Sequence, residues 1–237
     1  MKILSTAILL AITLAHAANA SDFPRVDADI KTYDDTVATM NAAFEQTPAN
    51  PNNTEWVKLK IQHMFDVDQY MRHYSDTPFN HQYSDAEKTA WKFQFGLRFS
   101  AVDQADTADL KSLLNIYSWF TISRFGAQTD FNAWLLVQHA DLDPAFQKQV
   151  LKILEQLYPV GETSPKDYAY LYDRVAASWG APTLRVLQRY GTQGTCTGPS
   201  TWAPIAMEDP AHIDDRRKTV GLGSESDYMK MFKDICH

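Results

Sequence analysis

Apolar side chains recur along most of the chain at the spacing of one helix face, and this pattern predicts a mainly α-helical fold. The clearest case is residues 54–74, which predict a helix whose apolar side is formed by Trp56, Leu59, Met64, Val67 and Met71. An earlier helix is predicted over residues 34–45. It follows an extended lead-in at residues 21–32 and ends at the turn-forming residues 48–53.

Polar residues that cap helices indicate where further helices begin. Ser84 and Glu87 have the spacing of a capping box, in which each side chain accepts a hydrogen bond from the other residue's backbone amide. We predict a helix from there to about Val102 and a separate helix over residues 107–119. Asp130 is a candidate cap for the segment that ends at Val137.

A capping residue followed by proline occurs three times in the second half of the chain. The dipeptides are Asp143-Pro144, Ser164-Pro165 and Asp209-Pro210. Each predicts a helix start, because proline is favoured at the first helical position. The last two of these helices are expected to end at Gly180 and Gly221, and Ser224 to cap a final short helix.

The helical pattern stops between residues 182 and 206, where glycine, threonine and proline accumulate and predict turns or short strands. The expected architecture is therefore a single helical domain over residues 54–237 with a turn-rich segment inside it. Residues 21–53 precede this domain as the lead-in and first helix.

The N-terminal twenty residues have the features of a secretory signal peptide. Lys2 precedes an apolar run over residues 3–14, and Ala18-Asn19-Ala20 has the small residues that a signal peptidase recognises. Ala15-His16-Ala17 is a second possible cleavage site. The run is too short to span a bilayer, and charges interrupt every later apolar segment. The sequence thus predicts an exported protein, periplasmic or extracellular.

Two cysteines, Cys196 and Cys236, lie in the part expected to be exported. An oxidising compartment favours a disulfide between them, and two unpaired thiols remain the alternative. A metal role is less favoured, because neither cysteine has a partner at C-x-x-C spacing.

The charge balance excludes one class of partner. The formal net charge is −7, whereas a protein that binds a nucleic-acid backbone needs a basic surface. We therefore expect no nucleic-acid partner, and the sequence does not define an oligomeric state.

The strongest candidate site lies at residues 138–141, where an apolar segment ends. His139 could act as a general base with Asp141 as the carboxylate that orients it. The same pair could bind a divalent metal, but no motif supplies a third ligand. A structural role also stays open, with His139 capping the helix and Asp141 bonding the turn. No cofactor is predicted.

Other polar residues could bind a ligand at the same place. A glycine-containing loop presents Tyr190, Thr192 and Gln193, and an arginine such as Arg174 can hold a carboxylate or phosphate with two hydrogen bonds. The full set of predicted binding residues is Gln69, Arg72, Gln138, Tyr170, Asp173, Arg174, Tyr190, Thr192 and Gln193. An internal salt bridge is the alternative for Asp173, and Gln69 with Arg72 could equally form a solvated stripe.

Four separated motifs in this order resemble a family of bacterial proteins classed only as a domain of unknown function. They are Asp68-Gln69 with Arg72, residues 134–147, residues 168–175, and Tyr190 to Gln193 with the residues up to 222. The resemblance spans about residues 55–230. This chain departs from the family's usual pattern at residues 118–120 and 187–189, which could alter the specificity of a pocket.

The resemblance supports the choice of site but implies no activity, because the family has no agreed one. The sequence favours one polar pocket with acid–base or hydrolytic chemistry on a small polar or anionic substrate. A non-catalytic module that binds a small ligand or peptide is the alternative, and a hydrogen-bonded internal scaffold is the third possibility.

Overall fold

The computed structural model describes residues 22–236, so the expected signal peptide lies outside the described residues. The fold is mainly α-helical, as predicted. Its helices are α1 (Pro24–Glu45), α2 (Thr54–Tyr74), α3 (Thr77–Asn80), α4 (Asp85–Tyr117), α5 (Ile122–Phe125), α6 (Ala127–Gln138), α7 (Pro144–Leu157), α8 (Pro165–Ala177), α9 (Ile213–Thr219) and α10 (Glu225–Lys230). No helix within residues 22–236 is long and apolar enough to cross a membrane.

Two short strands follow α8 in the segment where turns or strands were predicted. Strand β1 (Gly194–Gly198) pairs antiparallel with β2 (Thr201–Pro204), with Gly194 opposite Pro204. Cys196 in β1 forms a disulfide with Cys236, which confirms the predicted bridge. The end of the chain is thereby fixed to the sheet beyond the Tyr190–Gln193 loop.

The predicted caps act as expected at several helix starts. The Ser84 and Glu87 side chains form the reciprocal capping box of α4. Asp143 accepts a hydrogen bond from the Phe146 amide at the start of α7, and Ser164 accepts one from the Asp167 amide at the start of α8. These local signals determine where the helices begin because the capped amides have no partner within the helix.

Helix α1 begins at Pro24, so the prediction of an extended lead-in at residues 21–32 was wrong. Val26, Ile30 and Tyr33 are buried and lie at spacings of four and three residues, which is one face of a helix. Packing of this face against α2 and α4 stabilises the extra turns.

Helix α4 runs unbroken over 33 residues where two helices were predicted. The polar residues near its middle stay within the helix: Asp106 and Thr107 are buried, and the Thr107 hydroxyl donates to the Asp103 carbonyl oxygen at 2.7 Å. Tertiary burial therefore outweighs the weak helix propensity of these residues.

Asp130 does not cap α6, which begins three residues earlier. Its buried carboxylate instead accepts hydrogen bonds from Trp119 Nε1 at 2.7 Å and the Thr163 hydroxyl at 3.0 Å. Asp130 thus connects the start of α6 to the segment after α4 and to the loop before α8.

Helix α8 ends at Ala177, before the predicted stop at Gly180. Gly180 has a different role: a β-carbon there would lie 1.7 Å from the backbone carbonyl oxygen of Asp141. Only glycine allows the chain after α8 to cross this closely over the turn that follows α6.

Two groups of buried apolar side chains hold the helices together. The larger group draws on α2, α4, α6, α7 and α8 and includes Ile61, Leu110, Val137, Val150 and Leu171. The smaller group joins α1 to α2 and α4 through Val26, Ile30, Tyr33, Met71, Trp91 and Phe95. Polar side chains of α2 and α4 also meet His139, the residue that follows α6.

Two buried carboxyl groups make the stability of the fold depend on pH. Asp106 and Asp167 are 7% and 8% exposed. Burial, reinforced by neighbouring acids, raises the pKa of Asp106 to about 8 and that of Asp167 to about 7. The unfolded chain loses these protons at much lower pH, so folding stability falls as the pH rises through the folded-state pKa values.

We expect the Asp106 carboxyl alone to lower the free energy of unfolding by about 3 kcal/mol between about pH 6 and pH 9. Urea denaturation across this range measures the slope, and Asp106→Asn should flatten it because asparagine does not titrate. Asp35→Asn, at an exposed position of α1, is the control and should keep the wild-type slope. An unchanged slope in Asp106→Asn would contradict the assignment.

Candidate functional site

The candidate site surrounds the C-terminal end of α6. Gln138 is the last helical residue, and His139 is the C-cap. A tight turn follows, in which the Asp141 amide donates to the His139 carbonyl oxygen at 2.8 Å. The turn sends the side chains of residues 139 and 141 to different partners.

His139 is paired with Asp68 of α2. The Nδ1 atom lies 2.9 Å and 3.0 Å from the two carboxylate oxygens of Asp68, which is fully buried. Arg72 Nε also lies 2.8 Å from Nδ1, but its hydrogen has an acceptor in an Asp68 oxygen at 2.9 Å. We therefore assign the Nδ1 hydrogen to the Asp68 carboxylate, which can only accept, and this tautomer leaves Nε2 as the unprotonated ring nitrogen. Nε2 has no hydrogen-bond partner among the described residues, and 17% of the side chain is exposed. This arrangement, the Asp68–His139 pair, has the geometry of an oriented general base.

Arg72, one turn beyond Asp68 on α2, joins the pair to α4. Its Nε donates to Asp68 at 2.9 Å and an Nη nitrogen donates to Asp103 at 2.7 Å. The guanidinium group lies over the Phe99 ring, 4.7 Å from its centroid. Gln69 donates to the second Asp68 oxygen at 2.8 Å. The structure thus brings the predicted residues Gln69 and Arg72 together with His139.

Burial, more than any neighbouring charge, keeps His139 neutral at physiological pH. Burial lowers the pKa of His139, and the Arg72 and Arg174 guanidinium groups lower it further, while Asp68 opposes this shift. Burial alone would raise the pKa of Asp68, but the hydrogen bonds from His139 and Arg72 and the charge of Arg72 hold it below its usual value. An ionised carboxylate therefore faces a neutral imidazole.

Asp103 is the second acid on Arg72 and titrates closer to neutrality. Burial raises its pKa to about 6, with the carboxylates of Asp68 and Asp141 adding to the shift and Arg72 opposing it. The site thus contains a carboxyl group that can exchange a proton in weakly acidic solution.

Asp141 does not orient His139, so this part of the prediction was wrong. Its carboxylate forms a two-pronged ion pair with Arg174 of α8, at 2.9 Å from Nε and 2.5 Å from Nη2. Arg174 Nε also lies 3.1 Å from the Gln138 carbonyl oxygen. Arg174 Nη1 and Trp179 Nε1 each donate at 3.0 Å to the side-chain oxygen of Gln193. Arg174 therefore ties α6, α8 and the following loop together.

Asp173 organises the Tyr190–Gln193 loop from inside the fold. Its fully buried carboxylate accepts hydrogen bonds from the backbone amides of Arg189, Tyr190 and Thr192 and from the Thr192 hydroxyl, at 2.8 to 3.1 Å. The predicted internal salt bridge of Asp173 is absent among these contacts. Neither Asp173 nor Thr192 presents an exposed group through which it could bind a ligand.

Arg217 of α9 holds the same loop from the other side. It is 1% exposed, donates to the carbonyl oxygens of Tyr190 and Gly223, and lies over the Tyr228 ring. These contacts fix the loop, and the loop in turn positions Gln193, whose side-chain oxygen accepts a hydrogen bond from Arg174. Such a buried cation satisfied by carbonyl groups cannot be recognised from spacing alone.

Of the remaining predicted binding residues, Gln138 contacts Arg174 and Tyr170 lies in a separate groove. The Tyr170 ring packs against Trp134 and Tyr228, and it lines a groove shared with Arg217. It is not among the hydrogen-bond partners of His139 or Arg174 described above. Gln138 contributes its backbone carbonyl to Arg174, while its side-chain nitrogen is buried without a hydrogen-bond partner among residues 22–236.

An open groove of about 550 Å³ adjoins the site between α4 and the turn after α6. We call it the α4 groove. It is lined by Asp103, Gln104, Thr107, Lys111, Ala140 and Asp143. Asp103 belongs to both the groove and the Arg72 cluster, and Ala140 directly follows His139. A volume of this size is typical of small-molecule sites.

Comparison with models of known protein families shows which family the chain belongs to. The model of a family of unknown function, DUF6624, matches residues 64–237. The chain belongs to the DUF6624 family. This membership confirms the resemblance to an uncharacterised family, and the match includes every residue of the Asp68–His139 pair, the Arg72 cluster and the Arg174 ion pair. No curated protein and no solved structure matches the chain significantly.

Two residues of the candidate site were not predicted: Asp68 as the partner of His139, and Asp103 as the second acid on Arg72. The sequence does contain a signal for Asp68. It lies between Met64 and Met71 on the buried stripe of α2, where a carboxylate needs a specific partner. Asp103 was missed because the prediction placed it in a break between two helices, whereas it lies in the middle of α4.

No group of three or more histidine, cysteine, aspartate or glutamate residues in the described part of the chain has the arrangement of a metal site. The carboxylates of Asp68, Asp103 and Asp141 are each hydrogen-bonded to arginine instead.

Proposed function

We propose that the Asp68–His139 pair acts as a general base on a small polar or anionic substrate bound in the α4 groove. The observation that supports this proposal is the unpartnered Nε2 of a neutral, partly exposed imidazole whose Nδ1 is held by a buried carboxylate. A base with a lowered pKa is fully available at neutral pH, where it can accept a proton from water or substrate.

Arg72 is the side chain that we propose for binding a negatively charged or polar substrate group. One of its terminal nitrogens, Nη1, has no hydrogen bond among the described residues, and 26% of the side chain is exposed. The Phe99 ring and two carboxylates fix the guanidinium plane. A fixed guanidinium loses little conformational freedom when it binds an oxyanion.

The hydroxyl groups of the site favour attack by water over a covalent intermediate. Thr107 in the groove donates its hydroxyl hydrogen to the Asp103 carbonyl oxygen, and Thr192 donates to Asp173. Neither is hydrogen-bonded to His139, as a nucleophile activated by this base would be. His139 would therefore activate water for hydrolysis or remove a proton from the substrate directly.

A paired substitution tests the catalytic role. Hydrolysis of 4-nitrophenyl acetate and 4-nitrophenyl phosphate would be compared for the wild type, His139→Gln and His212→Gln. We expect His139→Gln to lower kcat/KM by about 10²-fold, because general-base catalysis contributes at least this much. His212 is an exposed histidine outside the site, and its variant should behave as the wild type. Equal rates for all three proteins would refute general-base catalysis on these esters.

A non-catalytic binding module is the second candidate. It is favoured by the lining of the α4 groove, which includes the charged residues Asp103 and Lys111 but not His139. A binding module would gain thermal stability with acetate or inorganic phosphate, lose this gain in Arg72→Gln, and hydrolyse neither ester.

We also propose that the protein is exported. The disulfide between Cys196 and Cys236 is compatible with an oxidising compartment. The signal-peptide features of residues 1–20 support the same location. N-terminal sequencing of the protein from the secreted or periplasmic fraction should begin at Ser21, and a chain retained with Met1 would contradict export by cleavage.

A further inference from the structure

A second groove lies on the other side of α4, between α1, α2 and α4, and we call it the three-helix groove. Its volume is about 240 Å³. Its apolar wall is formed by Val37, Met64, Val67, Ala101, Val102 and Ala105. It contains none of the residues of the Asp68–His139 pair.

Asp106 is the unusual residue of this groove. Its side chain lines the groove, yet the residue is only 7% exposed. The Oδ2 atom is buried and has no hydrogen-bond partner among the described residues. An unpaired carboxyl group in an apolar wall is costly, and this cost is recovered when a hydrogen-bond donor or a cation reaches it.

Two basic residues, Lys60 and His63, line the groove, and each already has another partner. Lys60 forms an ion pair with Asp109, with 2.5 Å between the charged atoms. His63 lies 3.0 Å from the Asn41 side-chain oxygen, and burial together with Lys60 lowers its pKa, so its ring is neutral. The other charged neighbours of Asp106 are the carboxylates of Asp68, Asp103 and Asp109. The Lys60 charge lowers the pKa of Asp106, but the ion pair of Lys60 is with Asp109, and no cation among the described residues forms an ion pair with Asp106.

We propose that the three-helix groove binds a small organic cation, a primary amine with a compact apolar body. The ammonium group would donate to Asp106, and the apolar body would contact the aliphatic wall. Charge-assisted hydrogen bonds of this kind are about twice as strong as neutral ones. This site is independent of the proposed catalysis, because its groove and the α4 groove lie on different sides of α4 and share no lining residue.

Ammonium binding is expected to strengthen as the pH rises from about 6 to 8, because Asp106 then loses its proton more readily and can form an ion pair. The groups that act on Asp106 in this range are Lys60, His63 and Asp68 of α2, Asp103 and Asp109 of α4, and Tyr33 of α1. Of these, His63 has a lowered pKa and stays neutral, and burial raises the pKa of Tyr33 to about 12, so its phenol also stays neutral.

Three compounds of nearly equal size test the proposal by calorimetric titration: benzylamine, benzyl alcohol and benzoate. We expect benzylamine to bind the wild type at pH 8, and Asp106→Asn to weaken it by at least about tenfold. Asp35→Asn removes a carboxylate from an exposed position of α1 and should leave the affinity within about twofold.

A second variant blocks the groove without changing its charge. Ala105→Phe places a large side chain at an exposed position of the groove wall, and it should abolish benzylamine binding. Far-ultraviolet circular dichroism verifies the fold of each variant. The proposal would be overturned if benzylamine did not bind the wild type, or if benzyl alcohol or benzoate bound as tightly as benzylamine. It would also be overturned if Asp106→Asn bound benzylamine with unchanged affinity.

Discussion

Replacing Asp68 with alanine is expected to lower the free energy of unfolding by about 3–5 kcal/mol, because it breaks a buried ion pair by removing one partner. The Asp68 carboxylate is fully buried and accepts hydrogen bonds from Gln69, Arg72 and His139. Without it, the Arg72 cation keeps only Asp103, and the His139 Nδ1 hydrogen has no acceptor. The cost comes mainly from these uncompensated polar groups.

Urea denaturation at neutral pH measures this loss, with Asp141→Ala as the matched control. Asp141 also pairs with an arginine, but its side chain is 28% exposed, so water can replace the lost contact. We expect the control to lose clearly less stability than Asp68→Ala. If the two variants lost the same amount, Asp68 would not be the central residue of the cluster.

The same substitution has a second consequence for His139. Asp68 raises the pKa of this imidazole through its hydrogen bond and charge, whereas burial and the two arginines lower it. Removing Asp68 should therefore lower the pKa of His139 further, which a titration followed by nuclear magnetic resonance can detect. A rise in the pKa would mean that Asp68 and His139 are not paired in solution.

Removing the disulfide is expected to destabilise the protein by about 4 kcal/mol, the loop-entropy value for a closure of about 40 residues. Cys196 and Cys236 are 40 positions apart and enclose β2, α9 and α10. Without the covalent link, the unfolded chain gains the freedom of this whole segment. The folded end of the chain keeps its packing, because Phe232 is stacked on Trp202 with 4.5 Å between ring centroids.

The measurement compares the wild type with the double variant Cys196→Ser and Cys236→Ser, each with and without a thiol reductant. The reductant should destabilise the wild type and leave the double variant unchanged. The denaturant dependence of unfolding should also become steeper without the link, since a more expanded unfolded state exposes more surface. Equal midpoints for both proteins would show that the bridge contributes nothing to stability.

Local signals in the sequence predicted much of the helical framework, and their success has a simple cause. The capping box at Ser84 and the aspartate-proline step at Asp143 act through atoms within four residues of one another. Such signals are complete in the sequence. The first half of α1 and the continuous middle of α4 were missed because burial against distant helices, which no local signal reports, stabilises them.

In the candidate site, too, local signals were predicted and long-range contacts were missed. His139 was identified from its position at the end of an apolar segment, and Arg72 and Gln69 from a nearby motif, but Asp141 was chosen as the histidine's partner because it is close in sequence. The actual partner, Asp68, lies 71 positions away in the sequence. The turn after α6 directs Asp141 to Arg174 instead.

The sequence by itself determined the mainly helical class, the starts of α2, α4, α7, α8 and α10, the cysteine pair and the polar residues from which the site is built. Only the tertiary structure decided which carboxylate serves which cation, which polar side chains are buried, and which apolar faces enclose a groove. The physical reason is range: caps and turns depend on hydrogen bonds between near neighbours, whereas charge pairing and burial depend on how the helices pack in space.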